Sequence, residues 1–378
     1  MKKKTLSLLL ALVIVFGYIP AAAEETVSRA EFVMNLGQFF AIRPSLYQEM
    51  PFDDVSMENG YASYVSWARQ NRIVQGSGNN LFSPESPITR EEAAVMLLRT
   101  YQYAKQGPQG AWMIHLDYSD LESVSPWAGE AVAFCTLKQV IPPVGSAFCP
   151  QSPITEEEAK NIIGSFSAQI ASGLYAAAVE DAKTIEPEEI LPVVSVAENS
   201  PDVTWNEEGK VLMLSMHKYP DSYPEGTSVT LKWGEVWTFT DKEIKAWYRA
   251  NKEGVFNWPL RFKQLIGLPL DSSYTHVSGF WVSPENLIRP AYEPDISKSV
   301  MTDHFAIQPS PAFLSWFEGN TKWSYEESAY PWTRLGYTYD WAYNGKEYGL
   351  SEFLIQKDAQ VDVAFTYTID AFLDWLNQ

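Results

Sequence analysis

Two arginines sit where a guanidinium could carry out recognition. Ser28-Arg29-Ala30-Glu31 and Thr89-Arg90-Glu91-Glu92 place a hydroxyl residue, an arginine and a glutamate at the same spacing. Ser or Thr with Glu three residues on is a capping box, the mark of a helix N-terminus. An arginine on that first turn holds a planar fork of donors beside the positive end of the helix dipole, an arrangement suited to gripping a carboxylate. The same guanidinium could instead pair with Glu31 or Glu92 on the exposed first turn. Residue type alone leaves both readings open.

The elements that must position these arginines repeat. Phe52-Asp53-Asp54-Val55 lies over Tyr118-Ser119-Asp120-Leu121, and Tyr61 over Trp127, at a constant offset of 66 residues. The stretch from Phe82 to Thr89 lies over Phe148 to Thr155 at the same offset. Such a period marks a repeated module. Each copy reads helix, loop, helix. Tyr61, Tyr64, Val65 and Ala68 share a helical face, and Gln75 to Asn80 break it. Phe82 re-enters the core, Ser83 to Pro87 run extended, and a capped helix buries Ala93, Met96, Leu97 and Tyr101. The third copy repeats this with Thr155, Glu158, Ala159, Ile162, Ile163 and Phe166. Tyr61 and Trp127 are expected in the core. Asp54 and Asp120 are expected as turn and cap residues, since Asp53, Asp54 and Asp120 lack the oxygen density of a calcium loop.

This ordered set resembles the S-layer homology domain over roughly residues 26–172, as a half copy (26–45) and full copies (51–105 and 117–172). The resemblance implies an all-α bundle with pseudo-threefold arrangement. It also implies non-covalent anchoring to pyruvylated secondary cell-wall polysaccharide of a Gram-positive-type envelope. Carried over, the family's contacts with the acidic sugar fall on Arg29 and Arg90, with the Gly76-Ser77 loop admitting backbone approach at Gly76. The third copy departs from the pattern. Thr155-Glu156-Glu157-Glu158 has no arginine, and Pro142-Pro143 stands where Gly76-Ser77 stood. Three carboxylates would repel an anion, so this groove is expected to be structural and the anchor to have at most two working sites.

The N-terminus reads as an export signal: Lys2 to Lys4, an apolar run from Leu6 to Ile19, and Ala21-Ala22-Ala23 before Glu24. No later stretch is expected to cross a membrane. Loss of three lysines with residues 1–23 would take the net charge from −19 to −22, with 25 basic against 47 acidic residues. That surface repels nucleic acid and anionic lipid. Cys135 and Cys149, the two cysteines, are a candidate disulfide in an exported protein.

Residues 173–200 read as an acidic linker, and 201–378 as an aromatic-rich α+β module. Val211–Leu214, Ser228–Trp233, His276–Val282 and Gly349–Val363 have strand character. Helices are expected after Thr240, through Phe262 to Ile266, and over Ala371–Leu376. His217, His276 and His304 are too scattered for a helical zinc motif, and no cofactor or metal signature is present. The run Tyr330 to Trp341 is the densest aromatic signal and is similar to runs in uncharacterised secreted bacterial proteins. Candidate catalytic carboxylates are Asp303, Glu326, Glu327, Asp340 and Glu352, with Glu352 and Asp340 put first, since a glycosidase needs a pair flanking the bond. The chain thus reads as a surface-displayed, wall-bound protein, with a wall-anchored enzyme acting on carbohydrate or another envelope substrate as the alternative.

Overall fold

A computed structural model describes residues 25–110 and 112–378. The expected leader, Met1–Ala23, lies outside the described residues.

The first region is helical: α1 (Arg29–Phe39), α2 (Ala62–Gln70), α3 (Arg90–Tyr103), α4 (Gly129–Leu137) and α5 (Glu156–Asp181). Ser28 caps α1 and Thr89 caps α3, each as half of a complete capping box. One core joins all the copies, with Phe32, Trp67, Phe82, Tyr101, Phe148 and Phe166 fully buried. The copies meet around a closed ring of three backbone bonds. Val27 donates to Ile154 (3.0 Å), Ile154 to Ile88 (3.0 Å) and Ile88 to Val27 (2.9 Å). Three equivalent residues, each donating to one neighbour and accepting from the other, give the bundle its pseudo-threefold centre.

The second region is built on an antiparallel sheet. Its strands are β1 (Val211–His217), β2 (Ser228–Thr230), β3 (Val236–Thr240), β4 (His276–Val282), β5 (Leu287–Ile288), β8 (Phe353–Ile355) and β9 (Gln360–Thr368), in the order β2-β9-β4-β1-β3-β8-β5. Strands β6 (Tyr337–Tyr339) and β7 (Tyr348–Ser351) form a separate pair. Side chains alternate along β1: Leu212, Leu214 and Met216 join one core, and Val211 and Met213 join another on the opposite face. Helices α6 (Asp241–Asn251), α7 (Trp258–Leu265) and α9 (Ile369–Asn377) cover the first face, and α8 (Pro311–Lys322) lies at the aromatic side. At Gly279, where the β4–β9 register shifts, an added Cβ would lie 2.6 Å from the Phe365 ring, so a side chain there would have to displace that ring.

Three expectations change here. Residues 173–200 are not a free linker. Helix α5 runs through to Asp181, and the segment beyond docks on the second region through Val193 N to Ser299 O (3.0 Å) and Val196 N to Ile296 O (2.8 Å). The expectation that no later stretch could span a bilayer also needs correction: α5 has 26 residues and a mean hydropathy of 1.4 in its most apolar window. Its outward positions, Gly164, Ala168, Ser172 and Ala176, are small residues rather than large apolar ones. Its inward residues join both regions, Phe166 in the bundle and Ala171 and Ala178 against Tyr339 and Trp341. Finally, Trp127 is 60% exposed rather than core, and Tyr61 is half-buried with its hydroxyl donating to Glu85 at 3.0 Å.

Candidate functional site: the joints between repeats

Each joint begins with an aspartate. Asp54 accepts from the amides of Phe82 (2.8 Å) and Ser83 (2.7 Å), and Asp120 accepts from Phe148 and Cys149, both at 2.8 Å. Ser83 and Cys149 occupy the same left-handed turn, with φ of 58° and 56°. The clamp presents the carbonyls of Phe82 and Phe148 to the helix of the preceding copy. The expected structural role of Asp54 and Asp120 is what the geometry shows.

The arginines receive those carbonyls. Arg29 Nε donates to Phe82 O (2.9 Å) and its Nη1 to Glu92 (2.6 Å), with the guanidinium 5.0 Å above the Phe82 ring. Arg90 repeats the arrangement one copy later. Its Nε donates to Phe148 O at 2.6 Å, Nη1 pairs with Glu158, Nη2 reaches Pro142 O, and the cation lies over Phe148. The ion-pair alternative takes a different form from the one expected. The partner is the capping glutamate of the next copy, not of the same helix, and both arginines are buried, Arg90 to 1% exposure. Burial lowers the Arg90 pKa from its ordinary value, but a guanidinium stays charged at any physiological pH.

Sequence reasoning missed a third tie. Glu91 is 2% exposed and accepts from Ser125 N (3.0 Å), Ser125 Oγ (2.9 Å) and Gln151 Nε2 (2.7 Å). Its copy-one counterpart, Ala30, has no carboxylate, and its copy-three counterpart, Glu157, is the one repeat signal that could have marked it.

Gly76 sits at φ 89°, where an added Cβ would meet Leu81 O at 2.5 Å and the Phe52 ring at 2.7 Å. Glycine is therefore required by the turn itself. The third joint, between copies three and one, differs from the other two. Glu156 N donates to Glu25 O (3.0 Å), and a concavity of about 490 Å³ opens there, lined by Glu31, Asn35, Glu156 and Lys160 among others.

The remaining candidates do not converge. Cys135 and Cys149 are free thiols, so the expected bridge is absent. Cys135 is buried on α4 with its sulfur 3.6 Å from Ala94 O, whereas Cys149 is held in its turn by Asp120. Asp340 is locked to Arg261 by two bonds of 2.8 and 2.5 Å and also accepts from Ala342 N and Asn344. Glu352 lines a different cavity from the one that Asp340 borders. Asp181, Glu189 and Glu347 are the one group of carboxylates among the described residues close enough to share an ion. Burial and the hydrogen bond with Glu347 push Glu189 up to about 7, as expected for acids sharing a proton.

Residues 51–94 and 117–160 each match the S-layer homology domain. The chain is 31% identical over 143 residues to an amylopullulanase from Thermoanaerobacterium thermosulfurigenes, covering 37% of this chain and 7% of that enzyme. It is 32% identical over 143 residues to exoglucanase XynX from Acetivibrio thermocellus, covering 37% and 13%. It is 27% identical over 155 residues to an endoglucanase from Bacillus sp. (strain KSM-635), covering 40% and 16%. The chain therefore spans a small fraction of the length of these curated relatives.

Proposed function

We propose that the first region, two S-layer homology units joined to a half copy around one closed ring of hydrogen bonds, anchors the protein without covalent linkage to a secondary polymer of the cell wall. We further propose that the polymer is recognised through pyruvyl carboxylates. The match of both full repeats to this domain carries the reading. S-layer homology domains in general bind such polymers. Similarity to three differently named enzymes, each over a small part of its length, is consistent with a portable anchor attached to different cargos.

In this reading Arg29 and Arg90 serve the polymer from beneath the surface. They fix the shape of two joints, each cation balanced by a glutamate of the next copy, while the Gly76 turn sets the rim. The third joint sets Glu25, Glu31 and Glu156 against the single cation Lys160, and contributes shape without net attraction for an anion. The second region is the displayed cargo.

The test is sedimentation of the full secreted chain with purified wall sacculi. Retention is expected on native sacculi and loss on sacculi stripped of secondary polymer, with pyruvylated polymer competing and depyruvylated polymer failing to compete. Equal retention on stripped sacculi would end the anchoring claim, and equal competition by both polymers would end the pyruvyl claim alone.

A further inference from the structure

One cavity of the second region holds an acid that nothing satisfies. It has a volume of about 290 Å³ and lies between β3, the aromatic run after Trp323, and Glu352 at the β7–β8 junction. Glu352 is 8% exposed, and its Oε2 is buried without a hydrogen-bond partner. Trp332, 6% exposed, likewise has a buried indole N–H with no partner. Leaving a buried polar atom unpaired costs about 1–3 kcal/mol, more for a charged group, so native folds rarely retain one without a use.

The surrounding groups narrow what could use it. Among the described residues Glu352 is the sole acidic or basic one in the lining, and aromatic rings dominate the rest. Trp323 stacks on Tyr330 at 5.2 Å, and Trp237 meets Trp332 edge-on at 6.3 Å. Trp237 and Trp323 keep 38% and 44% exposure, which marks the open side. Beside the acid, Arg289 is fully buried and stacks 4.4 Å over Phe353, with Nη2 bonded to Val194 O at 2.7 Å. It makes no ion pair with Glu352.

Three ligand classes can be weighed. An anion would face the ring faces, which are negative, and a carboxyl group. A neutral sugar would find unbonded hydroxyls at Tyr274, Ser324 and Tyr330, but it would bring no counter-charge to the buried acid. An organic cation needs only ring faces and one counter-charge. The acidic surface of the chain would also concentrate cations near the mouth.

We propose that this cavity is a binding site for a small organic ammonium cation, held among Trp237, Trp323, Tyr330 and Trp332 with the Glu352 carboxylate as its counter-charge. Binding is coupled to a proton. Burial pushes Glu352 up to about 8, against the nearby Arg289 charge, which favours the ionised form. Below that pH the acid must release its proton to water as the cation enters. Of the other titratable neighbours, Glu243, bonded to Ser351, is likewise raised by burial, and burial pushes the phenols of Tyr325, Tyr330, Tyr337 and Tyr339 upward, away from this range.

The experiment uses the full secreted chain, with tryptophan fluorescence and calorimetry as readouts. Choline is compared with its neutral carbon isostere, 3,3-dimethylbutanol, and with Nα-acetyl-lysine amide as the ammonium of a polymer or peptide. Choline or the lysine derivative should bind at least about tenfold tighter than the isostere, whichever of the two is preferred identifying the source. Choline affinity should rise with pH and level off above about 8, with one proton released per cation below it. Glu352→Gln should remove both the tenfold preference and the proton release. Equal binding of choline and its isostere by the wild type, or saturable binding of N-acetylglucosamine with none of either cation, would overturn the proposal. Because these outcomes are read on the wild type, they stand even if the variant does not fold.

Discussion

Two buried ionisable side chains, Arg90 in the bundle and Glu352 in the second region, are treated in opposite ways. In the bundle, Arg90 is as deeply buried as any apolar residue, yet each arm of its fork has a partner supplied by the next repeat. In the second region Glu352 is buried with an oxygen that has none. A satisfied buried charge fixes register between parts of a structure, because a shifted neighbour would strand it. An unsatisfied one is a standing cost that a ligand can relieve. The difference separates residues that hold the fold together from a residue available for binding, though both looked like candidate site residues in the sequence.

Breaking the satisfied side should have the largest effect. Arg90→Ala would strand Glu158 and the carbonyls of Phe148 and Pro142 at the joint between the second and third copies. Removing one partner of a buried pair costs about 3–5 kcal/mol. Urea unfolding should show a loss of that order for Arg90→Ala and a smaller one for Arg29→Ala, which makes two such bonds to Arg90's three. Losses below about 1 kcal/mol for Arg90→Ala would mean that the joint is held elsewhere and that the arginine is free for a ligand.

The unsatisfied side should respond with the opposite sign. The Glu352 pKa is raised in the folded chain, so its contribution to stability is fully present below the ordinary carboxylate pKa and is lost as pH rises through about 8. Glu352→Gln cannot ionise. It should therefore be more stable than the wild type at pH 9, by on the order of 4 kcal/mol, with the advantage gone near pH 4. Denaturation curves at the two pH values check this. A variant less stable than wild type at pH 9 would show that the carboxylate has partners, and the contrast between the regions would fail.

The sequence made the repeat scaffold legible because each copy states its caps, turns and core positions in short range. Asp54 and Asp120 could be placed by their offset alone, and so could the helices that start after Thr89 and Thr155. The orientation of the arginines was not legible. The partners of Arg90 Nε and Nη1 lie 58 and 68 residues away, and nothing local says whether a first-turn side chain points outward or across a joint. In the second region, β1, β4, α6 and α7 were visible through their periodicity, while the short strand β3 and helix α8 were not. The cavity was out of reach for the same reason: it draws Trp237, Trp332 and Glu352 from segments that only the sheet order brings together. The aromatic run Tyr330 to Trp341 stood out in sequence, but most of it is buried, including Trp332, Tyr337, Tyr339 and Trp341.

The smallest effect sharpens the comparison from within the bundle. Cys149 fills the turn that Ser83 fills one repeat earlier, with the same left-handed backbone and the same amide bond to an aspartate. Copy two thus shows what Cys149→Ser would create in copy three. The substitution should change stability by no more than about 0.5 kcal/mol, and reductant should leave the unfolding curve of the wild type unmoved. A bridge to Cys135 would instead close a loop of about 15 residues and contribute about 3 kcal/mol, lost equally on reduction and on substitution. Cys135→Ser probes a different environment. Its thiol is fully buried among apolar side chains, where burial also pushes its pKa far up, so a hydroxyl there should cost more than at Cys149. Unequal losses at the two positions, with no response to reductant, identify two independent thiols. Equal losses would identify one bond.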